Sequence, residues 1–244
     1  MTARLRLSGL RLSFGERDIL RGIDLELHPG ELTGLIGPNG SGKSSLMRAC
    51  AGLLDSAGEL RIEGFDPRRE PMAARQVFGY AMEPERLPGT LRGRQCIELI
   101  ARTRQLDGDA VARSIELAQR LGLGPWLERE TADYSLGTRQ KLAIVLALMG
   151  EPPLLLLDEV LNGLDPLSAF ALKEELRHRA DAGASVLLAT HGLEVAERFL
   201  GRAVLLLDGR IAADWNREEL ARLRERGGGL EAAVVERLRK AQTA

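Results

Sequence analysis

From Gly37 to Ser44 the chain reads GPNGSGKS, a full match to the pattern G-x-x-x-x-G-K-[ST]. The pattern constrains the fold because its chemistry requires a strand on one side and a helix on the other. Leu32, Leu35 and Ile36 form a short apolar run fit for a buried strand, and Ser45-Leu46-Met47-Arg48-Ala49-Cys50 has helix-forming composition. Gly37, Gly40 and Gly42 let the backbone turn so tightly that several N–H groups converge on one spot. A helix starting near Lys43 adds about half a unit of positive charge at its N-terminus. The loop therefore predicts a place for nucleotide phosphates, with Pro38, Asn39, Ser41 and Ser45 completing it. Lys43 is expected to reach the β- and γ-phosphates, and the Ser44 hydroxyl to ligate a Mg²⁺ ion that bridges them. A glycine-rich turn with a chance lysine is the plain alternative, and the flanking strand and helix argue against it.

The 244 residues suffice for one large domain with a sizeable core. A formal net charge of −1 with 28% charged residues makes no overall basic field, so no nucleic-acid partner is expected. No stretch reaches the roughly 18 apolar residues that cross a bilayer. The N-terminal MTARLRLSGL has no apolar signal region, which predicts a cytoplasmic chain. Cys50 and Cys96 lie far apart, outside any C-x-x-C pair, and are expected to be reduced, semi-buried thiols. Gly227-Gly228-Gly229 reads as a flexible seam.

Apolar residues alternate from Leu5 to Phe14, and Ile23, Leu25 and Leu27 alternate with Asp24, Glu26 and His28, which predicts half-buried strands. Phe14, beside Gly15, is open to two readings: a ring laid against an adenine, or a core phenylalanine on an alternating strand. Leu60, Ile62, Gly64 and Phe65 suggest a strand and turn. Val77 to Met82 reads as a buried strand ending at Glu83-Pro84-Glu85. Leu91 to Leu106 and Ala110 to Leu121 have helical periodicity, so the middle third reads as a helical insertion, with Trp126 and Leu127 as packing anchors.

Tyr134 to Lys141 opens a further helix with Ser135 at its N-cap, a second and by itself weak anion cradle. Leu154 to Leu157 is an unbroken apolar run, the mark of a central parallel strand covered on both faces, and it ends in Asp158-Glu159. Paired acids after a buried strand, in a chain that has a phosphate loop, suggest a Mg²⁺-ordering aspartate and a base for water. Asn162 to Pro166 turns into a helix from Ser168 to Ala180. Val186 to Ala189 is a strand closed by Thr190-His191, and ligands of open α/β sheets sit beyond such carboxyl ends. Ala203 to Leu207 with Asp208-Gly209-Arg210 reads as a closing hairpin. Glu218 to Glu225 and Leu230 to Lys240 read as charged helices on a solvated flank.

In this order the motifs resemble the ATP-binding cassette (ABC) ATPases over nearly the whole chain. Gly37 to Ser44 matches Walker A, Leu154 to Glu159 matches Walker B with its catalytic glutamate, and Tyr134 to Gln140 aligns with the signature motif. Asn162 to Asp165 aligns with the D-loop, His191 with the switch histidine, Glu83 with the Q-loop and Phe14 with the A-loop aromatic. The resemblance implies an α/β fold: a P-loop NTPase core with a mostly parallel sheet, an N-terminal antiparallel β subdomain and an inserted helical subdomain. It divides one domain, 1–244, into core (1–82 and 151–215), helical subdomain (83–150) and C-terminal helical tail (216–244).

It further implies ATP and Mg²⁺ as cofactors, with Ser44, Glu83 and Asp158 around the metal and Glu159 and His191 at the attacking water. Ser135, Leu136, Gly137 and Thr138 would complete the ATP site of a second ABC subunit, in a homodimer or heterodimer, and Asp165 would link the two sites. An integral-membrane permease would hold the chain at the cytoplasmic face of the membrane. Leu136 and Thr138 depart from the family's LSGGQ, Glu83 stands in place of glutamine, and Val160 stands where proline is usual. The first two departures are similar to cassettes serving separately encoded exporter permeases, which makes an export ATPase the leading expectation. A soluble ABC ATPase acting on ribosomes or DNA, and a nucleotide-binding regulator without hydrolysis, are the alternatives.

Overall fold

The computed structural model describes residues 2–81, 83–225 and 227–242. Three strands, β1 (Leu5–Phe14), β2 (Arg17–Leu27) and β4 (Ala57–Ile62), form an antiparallel sheet in the order β2-β1-β4. Six strands form a second sheet: β3 (Leu32–Ile36), β5 (Phe78–Tyr80), β6 (Leu154–Asp158), β7 (Ser185–Ala189), β8 (Arg202–Leu207) and β9 (Arg210–Trp215). Their order is β5-β6-β7-β3-β8-β9, parallel except for the closing β8-β9 hairpin. The fold class expected from the motifs is the one observed.

The apolar strands bury both faces, and their period of two sorts the side chains into two cores. Leu154, Leu156, Leu187, Val204 and Leu206 face the antiparallel sheet and α1 (Lys43–Cys50), together with Leu5, Leu10 and Leu46. Leu155, Leu157, Val186, Leu188 and Leu205 face the helices on the other side. Those helices are α3 (Gly93–Thr103), α4 (Gly108–Arg120), α5 (Leu136–Leu148), α6 (Pro166–Asp181) and α7 (Leu193–Phe199). Among the described residues no helix is long and apolar enough to cross a membrane.

Several local expectations are corrected. Val77 closes a helix, α2 (Pro71–Val77), started by a proline at its first turn; the following strand is only Phe78–Tyr80, and Met82 lies outside the described residues. Phe14 is not a core residue: it ends β1 opposite Arg17 at the mouth of a tight hairpin, and 53% of it is exposed. The C-terminal helices, α8 (Arg217–Glu225) and α9 (Gly229–Gln242), are more than a solvated flank, because Leu220, Leu230 and Val234 bury themselves in the helical-side core. Gly229, expected in a flexible seam, starts α9. Cys50 and Cys96 are both free and fully buried rather than half-buried, and burial pushes the Cys50 thiol up to about 12. Trp126 and Leu127 do anchor packing: Leu127 is buried, and Trp126 meets Tyr134 edge-on at 5.7 Å.

Candidate nucleotide site

The parallel strands β3, β5, β6 and β7 end on one edge of the sheet, the edge beyond which α/β folds place ligands. β3 passes directly into the phosphate loop. Gly37 has φ 154°, and a Cβ there would lie 2.3 Å from the Leu206 carbonyl oxygen, so only glycine lets the loop leave so close to β8. Pro38, Asn39 and Gly40 are exposed, while Ser41 is buried with a hydroxyl that has no hydrogen-bond partner. Lys43 is buried as well; its ammonium donates to the carbonyl oxygens of Gly37 (2.8 Å) and Pro38 (3.2 Å). The loop thus closes around its own cation, at the start of a helix whose positive end faces the same point.

Asp158, the last residue of β6, lies beside Ser44 in a cleft of about 350 Å³ that Arg48, Tyr80, Glu83, Glu159 and Asn162 also line. Burial pushes its carboxyl above the usual range, against the downward pull of the Ser44 hydroxyl and Lys43. Its Oδ1 is buried without a hydrogen-bond partner, a costly arrangement for a carboxylate unless something is meant to bind there. Among the described residues no group of three or more His, Cys, Asp or Glu could hold a metal unaided. Mg²⁺ commonly takes one or two protein oxygens and completes its shell with phosphate and water. A hydroxyl and an orphaned carboxylate oxygen next to a phosphate loop fit that requirement.

Glu159 follows in a left-handed backbone conformation (φ 52°), uncommon for a side chain of its size and pinned by its N–H donating to the Ala189 carbonyl at 3.0 Å. Asn162 donates to its Oε2 at 2.9 Å, and His191 Nδ1 stands 3.1 Å from the same oxygen. A strand-end carboxylate, an exposed imidazole and an amide that orients the carboxylate therefore meet at one point. That arrangement can position and polarise a water molecule.

The remaining residues divide. Ser135 caps α5, accepting from the Thr138 N–H at 3.2 Å and sharing a 2.8 Å hydrogen bond with the Thr138 hydroxyl. Leu136 is 62% exposed at the cleft rim, and Gly137 beside it passes so close to the chain that a Cβ would lie 3.1 Å from the Gly163 carbonyl oxygen. Asp165 caps α6 through the Ser168 N–H (3.0 Å) and hydroxyl (2.7 Å) and pairs with Lys141 at 2.6 Å. Lys141 first, and the cap bonds next, hold its carboxyl well below the usual range. Phe14, Ser135, Thr138, Asp165 and His191 lie outside the lining of the 350 Å³ cleft. Glu83 lines it, with its carboxylate held by Arg48 and Arg86. Sequence reading missed Arg48 as part of the site. The signal was available: on α1 it is four residues after Ser44 and so on the same helix face.

The family model described as ABC transporter matches residues 20–162. The uncharacterized ABC transporter ATP-binding protein YdbJ of Bacillus subtilis is 34% identical over 86% of this chain and 68% of its own. The daunorubicin resistance ATP-binding protein DrrA3 of Streptomyces coeruleorubidus is 34% identical over 88% of this chain and 69% of its own. A solved structure of the ATP-binding subunit of an ABC transporter superposes with a TM-score of 0.90 at 32% identity, covering 97% of this chain and all of the other. With phosphate loop, acid pair and strand-end histidine on one sheet edge, the chain belongs to the ABC transporter family, as an ATP-binding subunit with ATPase activity.

Proposed function

We propose that the chain powers an exporter whose membrane-spanning permease is a separate protein, attaching to it at the cytoplasmic face of the membrane. Two cassettes, identical or different, close around ATP and open again after hydrolysis. The phosphate loop, Gly37 to Ser44 with Ser45, grips the triphosphate, and the Phe14 ring, exposed at its hairpin, lies against the adenine. Ser44 and Asp158 would hold Mg²⁺, which would supply neutralisation of the charge that develops on the transferring phosphoryl oxygens. Glu159 accepts the proton of the attacking water while Asn162 orients it and His191 faces the γ-phosphate. Ser135 and Gly137, with the variant Leu136 and Thr138, cover the ATP held by the opposing subunit, and Asp165 carries the state of one site to the other. The division into core, helical subdomain (83–150) and tail (216–244) belongs to the same reading, with the helical part moving against the core on closure. Export is favoured by the likeness to a drug-resistance ATP-binding protein.

The observation that carries the reading is the Glu159 carboxylate, fixed at 2.9 Å by Asn162 and at 3.1 Å by His191, one residue from an unpartnered buried Asp158 oxygen. Removing a general base lowers rate by about 10²–10⁴. Glu159→Gln is therefore expected to lower turnover by that factor and to accumulate as an ATP-bound dimer, read by light scattering. Pull-down of that variant with ATP, from detergent-solubilised membranes of its source, is expected to bring down a multi-span protein. Undiminished turnover would remove Glu159 from its role; ribosomal or DNA-associated proteins in place of a membrane protein would overturn export.

A further inference from the structure

The cleft beside the phosphate loop has an adverse charge balance for a polyphosphate. Its lining carries the carboxylates of Glu83, Glu85, Asp158 and Glu159 and a single basic side chain, Arg48. Arg48 shares the α1 face with Ser44 and holds one oxygen of Glu83, Oε1, from two nitrogens, Nε at 2.7 Å and a terminal nitrogen at 2.5 Å. Arg86, three residues on, takes Oε2 of the same carboxylate, so both oxygens of Glu83 are engaged. The field of Arg48 also reaches Asp158 and Tyr80, on the two neighbouring strand ends.

We propose that Arg48 is a positioning residue for nucleotide binding: the cleft's built-in cation, which locks Glu83 into an ion pair and removes its charge from the face that receives the triphosphate. The proposal rests on the ATP-binding reading of the site and adds a division of labour to it. Glu83, with both oxygens engaged, is not free to ligate a metal, which Ser44 and Asp158 would hold. With Glu83 neutralised, the phosphate loop binds nucleotide in the absence of metal. With Arg48 gone, Glu83 keeps only the solvent-exposed Arg86 on its Oε2, its charge on the phosphate side is no longer offset from within the cleft, and tight binding becomes dependent on a divalent cation to screen it. A merely structural tie between α1 and the Glu83 segment would instead weaken binding equally with and without metal.

The test is a fluorescent ATP-analogue titration of the full chain in EDTA and in excess Mg²⁺, with the ratio of the two dissociation constants as readout. Arg48→Met is expected to raise that ratio at least tenfold over the unchanged protein. Arg48→Lys, which keeps the charge, and Arg48→Met/Glu83→Gln, which removes both members, are expected to stay within about threefold of it. Glu83→Gln alone frees the Arg48 charge, and is expected to tighten metal-free binding; this variant serves should Arg48→Met fail to fold. A ratio in Arg48→Met within threefold of the unchanged protein overturns the proposal, as does a double variant that does not restore it or unchanged metal-free binding in Glu83→Gln. An unchanged protein that binds the analogue in neither buffer overturns the nucleotide reading itself, and this inference with it.

Discussion

Asp158 and Glu175 are carboxylates at opposite ends of the same layer of helices and strands, and their surroundings treat them in opposite ways. Glu175, 8% exposed on α6, accepts from Arg120 of α4 at 2.9 Å and from Arg179 one turn along at 2.7 Å. Burial alone would push its carboxyl up, but the two guanidinium groups outweigh that and hold it below the usual range. Asp158 has burial as its dominant influence and ends above the usual range, with one oxygen unpartnered. At the rear the buried charge of Glu175 is matched within the chain, by Arg179 and Arg120, and serves architecture. At the front the pull of Ser44 and Lys43 does not outweigh burial and Asp158 Oδ1 is left without a partner, an arrangement that serves a ligand rather than the empty fold.

The largest expected effect on stability comes from the rear. Glu175→Ala takes the shared carboxylate from Arg120 and from the buried Arg179, and breaking a buried pair of the Arg179–Glu175 kind costs about 3 kcal/mol. Urea unfolding should show that loss, while turnover below the new melting temperature stays within about twofold. The same pair makes an acid limb. A depressed folded pKa means that its contribution is present in full above the unfolded glutamate value of about 4.3 and is lost as pH falls through the folded value. Stability of the unchanged protein should therefore drop faster below about pH 4 than that of Glu175→Gln. Equal acid limbs in the two proteins would mean that the rear pairing is not what distinguishes the two regions.

How far this contrast could be read from sequence depends on the distance over which each feature is encoded. The phosphate loop is local, and so was legible to the residue: Gly37 to Ser44 needs only its own spacing. Leu154 to Leu157 announced a doubly covered strand because four consecutive apolar residues have no other use before an acid pair. What was not legible is pairing between distant residues. The Arg48–Glu83 and Arg120–Glu175 ion pairs join positions 35 and 55 residues apart, and no local pattern selects those partners from the chain's many charges. Phe14, open to two readings, and the tail, read as a solvated flank, are hard to place for a related reason. Whether an apolar side chain on a strand end or an amphipathic helix is covered depends on what packs above it: Leu230 and Val234 find the helical-side core, and Phe14, opposite Arg17, stays more than half exposed. The apolar run that begins at Val77 reads as strand from its first residue, and the proline-started helix in front of it takes Val77 into its last turn.

The front should respond in the opposite sense to the rear. Asp158→Asn keeps the shape and removes the buried charge, and relief of an unfavourable site of this kind commonly adds about 0.5–2 kcal/mol. Thermal unfolding of the empty protein is thus expected to show equal or greater stability, with Mg²⁺-dependent tightening of ATP binding abolished. A variant less stable than the unchanged chain would place Asp158 with Glu175 among the architectural charges and erase the distinction between the two ends.

Ser135 tests the smallest margin, because one hydroxyl serves two readings. As the cap of α5 it satisfies the Thr138 N–H, and Ser135→Ala should cost about 0.5–1 kcal/mol whether or not a phosphate ever meets it. Ser135→Asp separates the two. Aspartate caps as well as serine and is favoured by the helix N-terminus, so stability should be held or slightly raised. A carboxylate at that position nevertheless repels the triphosphate of an opposing subunit. ATP-driven dimer formation in the Glu159→Gln background, read by light scattering, should be lost in Ser135→Asp and only weakened in Ser135→Ala. If Ser135→Asp still dimerises, the exposed serine is a cap like any other, and the front of the molecule ends at the cleft between Ser44 and Asp158.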